Sequence, residues 1–279
     1  MRKKSLVIIL GGGEIGSAIG CYLIKSGIPT GMVLSENEHS LRRMVCFSDA
    51  RITGKKIVEN VTGILITPED LSAHFSDDAG ERWERAIWYR IRNRELPLWT
   101  ISEFPDYLEK LKPEILILTN KETPEDISFS GASFVIGLYP YHKPGKDCHL
   151  AIESRLNFWL GEASREEPPA RLNLDQNFFK NPIAEVNTPI EGVFVAIKDI
   201  GEKIRANEPI GKVGDIEIRS PYHGQIWGLV HSGRILSAGE TLAQIFQGLP
   251  SDAYASLSYY QRTIAGAVLN EVIKYLHTK

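Results

Sequence analysis

The sequence predicts an α/β domain built on a parallel sheet, then an all-β domain, then a C-terminal helix. Three observations carry this. An apolar run near the start passes directly into a glycine turn, a block of 26 residues occurs twice without a gap, and the last twenty or so residues carry a helical apolar stripe. A chain of 279 residues is long enough for two domains with their own cores.

Leu6-Val7-Ile8-Ile9-Leu10 is a continuous apolar run, as a central parallel strand buried on both faces requires. It is too short for a signal peptide and passes into glycines, so Met1-Arg2-Lys3-Lys4 reads as a basic overhang on a first strand. Gly11-Gly12-Gly13-Glu14-Ile15-Gly16 fits GxGxxG through Gly11, Gly13 and Gly16. The spacing predicts a helix from about Glu14 to Ser26, with Ile15, Ala18, Ile19, Tyr22 and Leu23 as its apolar stripe and Gly27 just past its end. A second strand over Thr30 to Leu34 completes a Rossmann-like βαβ opening. Glu36, 20 residues past Gly16, stands where an acid meets a ribose hydroxyl.

Glycines at these positions let backbone N–H groups approach a phosphate at the positive end of the helix. The same glycines also serve close strand–helix packing with no ligand, and Glu14 inside the turn repels an anion unless it points away. Arg42 and Arg43 follow the second strand, placed to clamp a phosphate or to form a solvated turn. Cys46, between Val45 and Phe47, reads as a small buried residue.

The stretch from Arg51 to Ile66 predicts a hairpin. Thr67-Pro68-Glu69-Asp70 and Thr123-Pro124-Glu125-Asp126 are helix starts: a cap, a proline at the first position and acids in the first turn. Asp77 to Arg94 reads as an amphipathic helix with Trp83, Ile87, Tyr89 and Ile91. Its face of Arg82, Arg85, Arg90, Arg92 and Arg94 is balanced by Glu81, Glu84 and Glu95. Tyr107, Leu108 and Leu111 pack a short turn before the strands Glu114 to Leu118 and Ser133 to Leu138.

The segment Tyr139 to Asp147, at a strand's carboxyl end, is a candidate site loop in which His142 is a candidate acid/base or oxyanion donor. His149, Glu153 and Arg155 fall on an expected helix, with His149 and Glu153 one turn apart. No further ligands accompany them, so no metal site is expected.

The repeated block runs from Thr188 to Val213 and again from Ser220 to Ile245, 32 positions on. Pro189, Gly192, Gly201, Ala206 and Glu208 recur as Pro221, Gly224, Gly233, Ala238 and Glu240. Ile204, Ile210 and Val213 recur as Leu236, Leu242 and Ile245. Two copies are too few for a solenoid and suit a pseudo-twofold β domain whose halves cover each other. The pattern resembles the biotinyl/lipoyl-type barrel-sandwich domain. Carrier members of that class display a lysine on the hairpin between the halves. Here that connection is Val213-Gly214-Asp215-Ile216-Glu217-Ile218, with no lysine, and Lys212 lies before the turn. Neither biotin nor lipoate is expected, and the module reads as a docking scaffold.

The resulting division is a Rossmann-like domain over 1–165, a linker over 166–180 with Pro168-Pro169, a barrel-sandwich domain over 181–250 and a C-terminal helix within 251–279. Ile264, Val268, Val272 (or Ile273) and Leu276 form the helix stripe, which must bury itself on the first domain or on a second subunit. A net charge of −3 argues against nucleic acid as a partner. No apolar run approaches a membrane span. Cys21, Cys46 and Cys148, odd in number and without CxxC, fit a reducing cytoplasm without structural zinc.

Taken together, the sequence resembles the YqeB-type accessory proteins of selenium-dependent molybdenum hydroxylase systems. The resemblance rests on the strand–GGGEIG–helix opening, Leu41 to Ala50 (LRRMVCFSDA), Leu111 to Ile117, Ser133 to Leu138, His149 to Ser154, the repeat, and Arg262 to Leu269 (RTIAGAVL). The chain is a divergent member. Tyr139 to Gly145 stands where the family has a glycine-rich loop, Leu156-Asn157-Phe158 where it has Arg-Gly-His, and Glu162 to Pro169 where it has a further Gly/Pro-rich stretch.

The resemblance implies a non-redox accessory role in maturing a molybdenum hydroxylase client. A nucleotide-bearing cofactor, such as a molybdopterin dinucleotide, would sit at Gly11, Gly13 and Gly16, with Glu36, Arg42 and Arg43 at its periphery. An NAD(P)-dependent oxidoreductase using His142 and a ligand-free interaction scaffold are the alternatives, and the buried stripe leaves room for a homo-oligomer.

Overall fold

A computed structural model describes residues 5–36, 40–74, 76–119, 131–168 and 183–278. The basic overhang, the helix start at Thr123 to Asp126 and the linker from 169 onward lie outside the described residues. The chain divides into two compact units. The first is Met1–Glu38, Cys46–Leu174 and Leu257–Lys279; the second is His39–Val45 and Asp175–Ser256.

The first unit holds strands β1 (Val7–Leu10), β2 (Thr30–Leu34), β3 (Lys55–Val58), β4 (Val61–Leu65), β5 (Leu96–Thr100), β6 (Ile115–Leu118), β7 (Phe134–Tyr139), β8 (Leu150–Glu153) and β9 (Ala163–Ser164). Its helices are α1 (Glu14–Lys25), α2 (Ala50–Thr53), α3 (Pro68–Ser72), α4 (Ala79–Arg92), α5 (Tyr107–Leu111) and α6 (Tyr259–His277). The strands form one nine-stranded mixed sheet, ordered β3-β4-β5-β2-β1-β6-β7-β8-β9.

The pairs from β4 through β8 are parallel, and only the edge strands β3 and β9 run antiparallel. Every residue of β1, β2 and β6 is buried, so these strands show no polar alternation, and Thr30, the polar residue that opens β2, donates from Oγ1 to Ile28 O at 2.9 Å. The β3–β4 hairpin turns on Glu59 and Asn60, at φ 49° and 65°, the left-handed pair a two-residue hairpin loop uses. Beneath α4, Trp83 stacks on Phe104 at 5.0 Å between ring centres.

The local signals explain the helix ends. Ile28 N–H donates to Leu23 O at 3.0 Å across Gly27, whose φ is 74°. Thr67 and Asp70 form a reciprocal capping box on α3, and Ser258 and Gln261 form another on α6. The last helix buries Ile264, Ala265, Val268 and Val272 and packs along α1, leaving Ile273 exposed.

One element differs from the sequence reading and another is absent from it. Residues 150–153 are the strand β8 rather than part of a helix. The short run Leu150-Ala151-Ile152 is buried and completes the parallel array beside β7, so His149 and Glu153 do not share a helical face. Leu96–Thr100 is a fully buried strand between β4 and β2 although Pro97 lies within it. A proline weighs against a central strand because it cannot donate to the ladder. Here Trp99 supplies the compensating packing over Gly31, where a Cβ would lie 2.8 Å from its ring.

The second unit contains β10 (Ile183–Asn187), β11 (Gly192–Ala196), β12 (Lys203–Ile204), β13 (Pro209–Val213), β14 (Ile216–Arg219), β15 (Gly224–Leu229), β16 (Ile235–Leu236) and β17 (Thr241–Phe246). They form two four-stranded antiparallel sheets, β10-β17-β15-β12 and β14-β13-β11-β16. Shifting each strand of one sheet by the repeat distance gives its counterpart in the other. With β10 and β14 counted to the copies they immediately precede, each sheet draws two strands from each copy, and neither copy builds a sheet alone. Phe194, Ile210 and Val213 share one core with Ile226, Leu242 and Ile245.

The exchange extends to single hydrogen bonds. Thr188 N–H donates to Glu240 O and Ser220 N–H to Glu208 O, both at 2.9 Å. Gly239 N–H donates to Thr188 O at 2.8 Å and Asn207 N–H to Ser220 O at 2.7 Å. Glu208 and Glu240 each turn a carboxylate back on a backbone N–H three residues earlier, that of Arg205 at 2.8 Å and of Ser237 at 3.0 Å. Gly201 N–H reaches Ile226 O and Gly233 N–H reaches Phe194 O, with φ 90° and 89° at the two glycines.

Gly233 has open space at its Cβ position, whereas a Cβ on Gly201 would lie 2.6 Å from the Tyr254 ring. Gly233→Ala is therefore expected to lower the unfolding free energy by about 1–2 kcal/mol, the cost of φ > 0 for an L side chain. Gly201→Ala adds a clash and is expected to cost more. Urea unfolding of the two variants checks the order; equal losses would show that Tyr254 yields freely.

Candidate functional site

The strand order of the first unit reverses between β1 and β6: β2 to β5 all lie on one side of β1, with β5 inserted between β2 and β4, and the chain then crosses to build outward through β6, β7 and β8 on the other. Such a switch point leaves a crevice at the carboxyl ends of the two strands, and the glycine turn lies there. Gly11 has φ 111°, a conformation that favours glycine, and its N–H donates to Val33 O at 2.8 Å. A Cβ on Gly16 would sit 2.0 Å from Gly11 O and 3.1 Å from Thr119 Oγ1, so α1 leaves the turn in backbone contact with it. Thr119, at the end of β6, closes the other side by donating from Oγ1 to Leu10 O at 2.6 Å.

Gly12, the glycine outside the motif, is the most crowded from the sheet side. A Cβ there would lie 2.3 Å from Leu34 Cδ2 and 2.9 Å from Ser48 N. Its carbonyl accepts from Ser48 N–H at 2.9 Å and from Ser17 Oγ at 2.8 Å, and Ser17 Oγ accepts from Phe47 N–H at 2.7 Å. Backbone conformation thus accounts for Gly11, and packing for Gly12 and Gly16. Gly13 differs: it is the N-cap of α1, at φ −68°, and supplies no side-chain cap to the first turn. A helix of 12 residues begins there, and the partial positive charge of its terminus faces the crevice end of β1.

Glu14, which would oppose an anion at this terminus, accepts a hydrogen bond from Gln261 Nε2 on α6. Gln261 is buried and uses its other end, Oε1, to accept from Ser258 N–H at 2.6 Å. The neighbouring Tyr260 donates from its hydroxyl to Ser154 O at 2.5 Å. Burial first, then Tyr141, Glu14 and Glu153, push the Tyr260 hydroxyl up to about 12, so it remains a donor at neutral pH. Beyond it, Arg155 grips the buried Glu153 with Nε at 2.9 Å and Nη2 at 2.7 Å, and lies 4.8 Å over the Tyr139 ring. The first turn of α6 therefore ties the start of α1 to the end of β8.

The remaining predicted residues fall in different places. Glu36 accepts from Ser102 N–H at 3.2 Å and Ser102 Oγ at 2.7 Å, which holds its carboxyl below the usual range. Arg51 lies 3.9 Å from its other oxygen. Glu36 is thus a fixed, charged acid at the end of β2, and its side chain remains 45% exposed.

Arg42 and Arg43 belong to the second unit and are engaged there. Arg42 lies 5.3 Å over the Trp227 ring and donates to Ser256 O at 3.0 Å; Arg43 donates to Leu229 O at 3.1 Å and to Asp199 Oδ1 at 2.5 Å. The sequence reading placed them beside the second strand because they follow it closely, but the chain has already passed into the other unit.

His142 is 3% exposed and packs on Gly137, where a Cβ would lie 2.4 Å from its own Cβ; it is not an open loop group. All three cysteines are buried, and burial raises Cys21 to about 12 and Cys148 to about 11, so neither is a thiolate at neutral pH. Among the described residues no group of His, Cys, Asp and Glu is arranged to hold a metal, and no helix is long and apolar enough to cross a membrane.

Sequence reasoning missed Thr119, Tyr260 and Gln261 as parts of this site. The Ser258–Gln261 capping box was legible as S-x-x-Q, but its second bond, to Glu14, depends on tertiary placement.

The fold and the crevice define a mixed α/β chain with a glycine turn at its switch point and an appended two-repeat β unit. In sequence it is 27% identical over 282 aligned residues to "Uncharacterized protein YqeB" of Escherichia coli (strain K12), a match covering 98% of this chain and 48% of that protein. This supports a YqeB-type protein and is consistent with a divergent one; the chain spans about half the length of the curated relative it matches. No family model matches. A solved succinylglutamatedesuccinylase/aspartoacylase from Rhodobacter sphaeroides aligns at 14% identity over 89% of this chain and 86% of that one, with a TM-score of 0.25, too weak to carry an argument.

One titration follows from the geometry. His149 Nδ1 accepts from Val135 N–H at 3.0 Å, and burial, helped by Arg165, lowers its pKa. The unfolded chain therefore binds this proton more readily. Stability is full above the ordinary value of about 6.5 and is lost as pH falls below it towards the lowered folded value. The melting temperature is expected to drop between pH 7.5 and 5.5, and less steeply in His149→Leu. Identical slopes would contradict the assignment.

Proposed function

We propose that this chain is a non-redox accessory protein that binds a nucleotide-bearing cofactor in the switch-point crevice during maturation of a molybdenum hydroxylase-type enzyme. In this reading the first unit is a Rossmann-like domain. The second is a barrel-sandwich module of the biotinyl/lipoyl-like kind that docks the client enzyme. The observation that carries it is the start of α1: an N-terminus without a side-chain cap, at the switch point, with its one acid held by Gln261. The likeness to YqeB, with the resemblance to accessory proteins of selenium-dependent molybdenum hydroxylase systems, supplies the client class.

The residues present fit the phosphate end of such a cofactor. Gly13 and the following N–H groups would receive the phosphate, and Glu36, fixed by Ser102, would meet a sugar hydroxyl. A molybdopterin dinucleotide carries both features; the cofactor brings the metal chemistry and the chain's part is to bind and orient. The burial of His142 weighs against the NAD(P)-dependent oxidoreductase.

Gly13→Asp tests the reading cleanly. Asp is a favoured N-cap, so the variant keeps or gains stability, while its carboxylate repels a phosphate. Molybdopterin dinucleotide or CTP at about a hundred times the dissociation constant is expected to add roughly 2.7 kcal/mol, a rise of several degrees in melting temperature, to the parent and nothing to the variant. Stabilisation by NAD(P) instead would favour the oxidoreductase. No shift with any nucleotide would leave the turn as packing and favour a scaffold.

A further inference from the structure

We propose that Gln261 is a positioning residue for the crevice: its amide holds the Glu14 carboxylate off the first turn of α1 and so keeps the N–H groups there open to an anion. This rests on the reading of the crevice as a phosphate site.

The first intrahelical bond of α1 runs from Ser17 N–H to Gly13 O at 2.9 Å. The N–H groups of Ile15 and Gly16 precede it and find no acceptor within the helix. Glu14 is the acid of this turn, and a first-turn carboxylate is a ready acceptor for such groups. Left to itself, Glu14 would cap its own helix and take the place of a phosphate. Here its Oε2 accepts instead from Gln261 Nε2 on α6.

The residue type at 261 is informative. A capping box takes either Glu or Gln at its last position, and Glu suits a helix N-terminus better. Gln261 serves the cap with Oε1, which accepts from Ser258 N–H at 2.6 Å. A glutamate would do this equally well. Only the amide adds a donor, and with Oε1 committed to the backbone that donor is directed at Glu14. Gln261 is 1% exposed, so water does not replace the bond if it is lost.

The turn that carries Gln261 is fastened on both sides. Tyr260 donates from its hydroxyl to Ser154 O, just past β8. Arg262 Nη2 donates to Glu59 Oε1 at 2.5 Å in the β3–β4 hairpin, and Leu257 N–H donates to the same oxygen at 3.2 Å. Residues 260, 261 and 262 thus each hold a different segment of the first unit. The outer two fix where the Gln261 amide stands, and Glu14 is the group that it places.

Two readouts on the full chain test this. Gln261→Glu keeps the capping box and removes the donor. With no nucleotide present, hydrogen exchange at Ile15 and Gly16 is expected to slow severalfold in this variant, because the released Glu14 caps them. Molybdopterin dinucleotide is expected to bind it more than roughly tenfold more weakly than the parent. Adding Glu14→Gln to Gln261→Glu is expected to restore both, since it removes the released charge. Exchange that stays at the parental rate in Gln261→Glu overturns the proposal. So does a loss of affinity that Glu14→Gln leaves in place, the outcome a merely structural role of Gln261 would give. A parent that binds no nucleotide removes the phosphate reading of the crevice, and the exchange rates then decide by themselves whether Gln261 holds Glu14.

Discussion

The contact of Gly16 with the carbonyl of Gly11, where a Cβ would lie 2.0 Å from the oxygen, fixes the line along which α1 leaves β1. Everything that makes the crevice a candidate site follows from it. The helix starts one residue after Gly13, so its uncapped terminus lies at the end of β1, beside the strand where the order reverses. A side chain at Gly16 would move α1 outward and carry Ser17 away from Gly12 O and Phe47 N–H, to which it is bonded. With α1 in place, Glu14 meets Gln261, and the first turn of α6 connects α1 with β8.

The second unit depends on a different constraint, the exchange of strands between two copies of one motif. Each copy supplies half of each sheet, so the core around Phe194 and Ile226 forms only when both are present. The paired bonds of Thr188 and Ser220, and of Gly201 and Gly233, make the halves equivalent at the backbone. The symmetry breaks at the outer faces, where one is covered by Leu41 and Arg42 and the other bears Val193 and Val195 in the open.

What the sequence revealed was local or periodic. β2 and the ends of α1 followed from apolar runs, caps and glycines acting within a few residues, and the repeat showed itself by identity at a fixed spacing. What stayed hidden depended on tertiary placement. Leu96–Thr100 carried no reading at all: β5 contains Pro97 and is held by packing of Trp99 on Gly31 that no local pattern encodes. Residues 150–153 are too few to show a period and became β8 through a parallel neighbour. Arg42 and Arg43 looked like phosphate ligands because they closely follow the second strand; their partners Trp227, Leu229 and Asp199 lie more than 150 residues away. Gly13 remains the motif glycine for which left-handed geometry supplies no reason.

Hydrogen exchange of the backbone amides from Leu10 to Lys25, with and without molybdopterin dinucleotide, tests the cofactor site most directly. The account predicts slower exchange confined to the glycine turn and the first turn of α1, where the N–H groups would meet phosphate. Binding that leaves these amides unchanged, or protects only residues of the second unit, would contradict it.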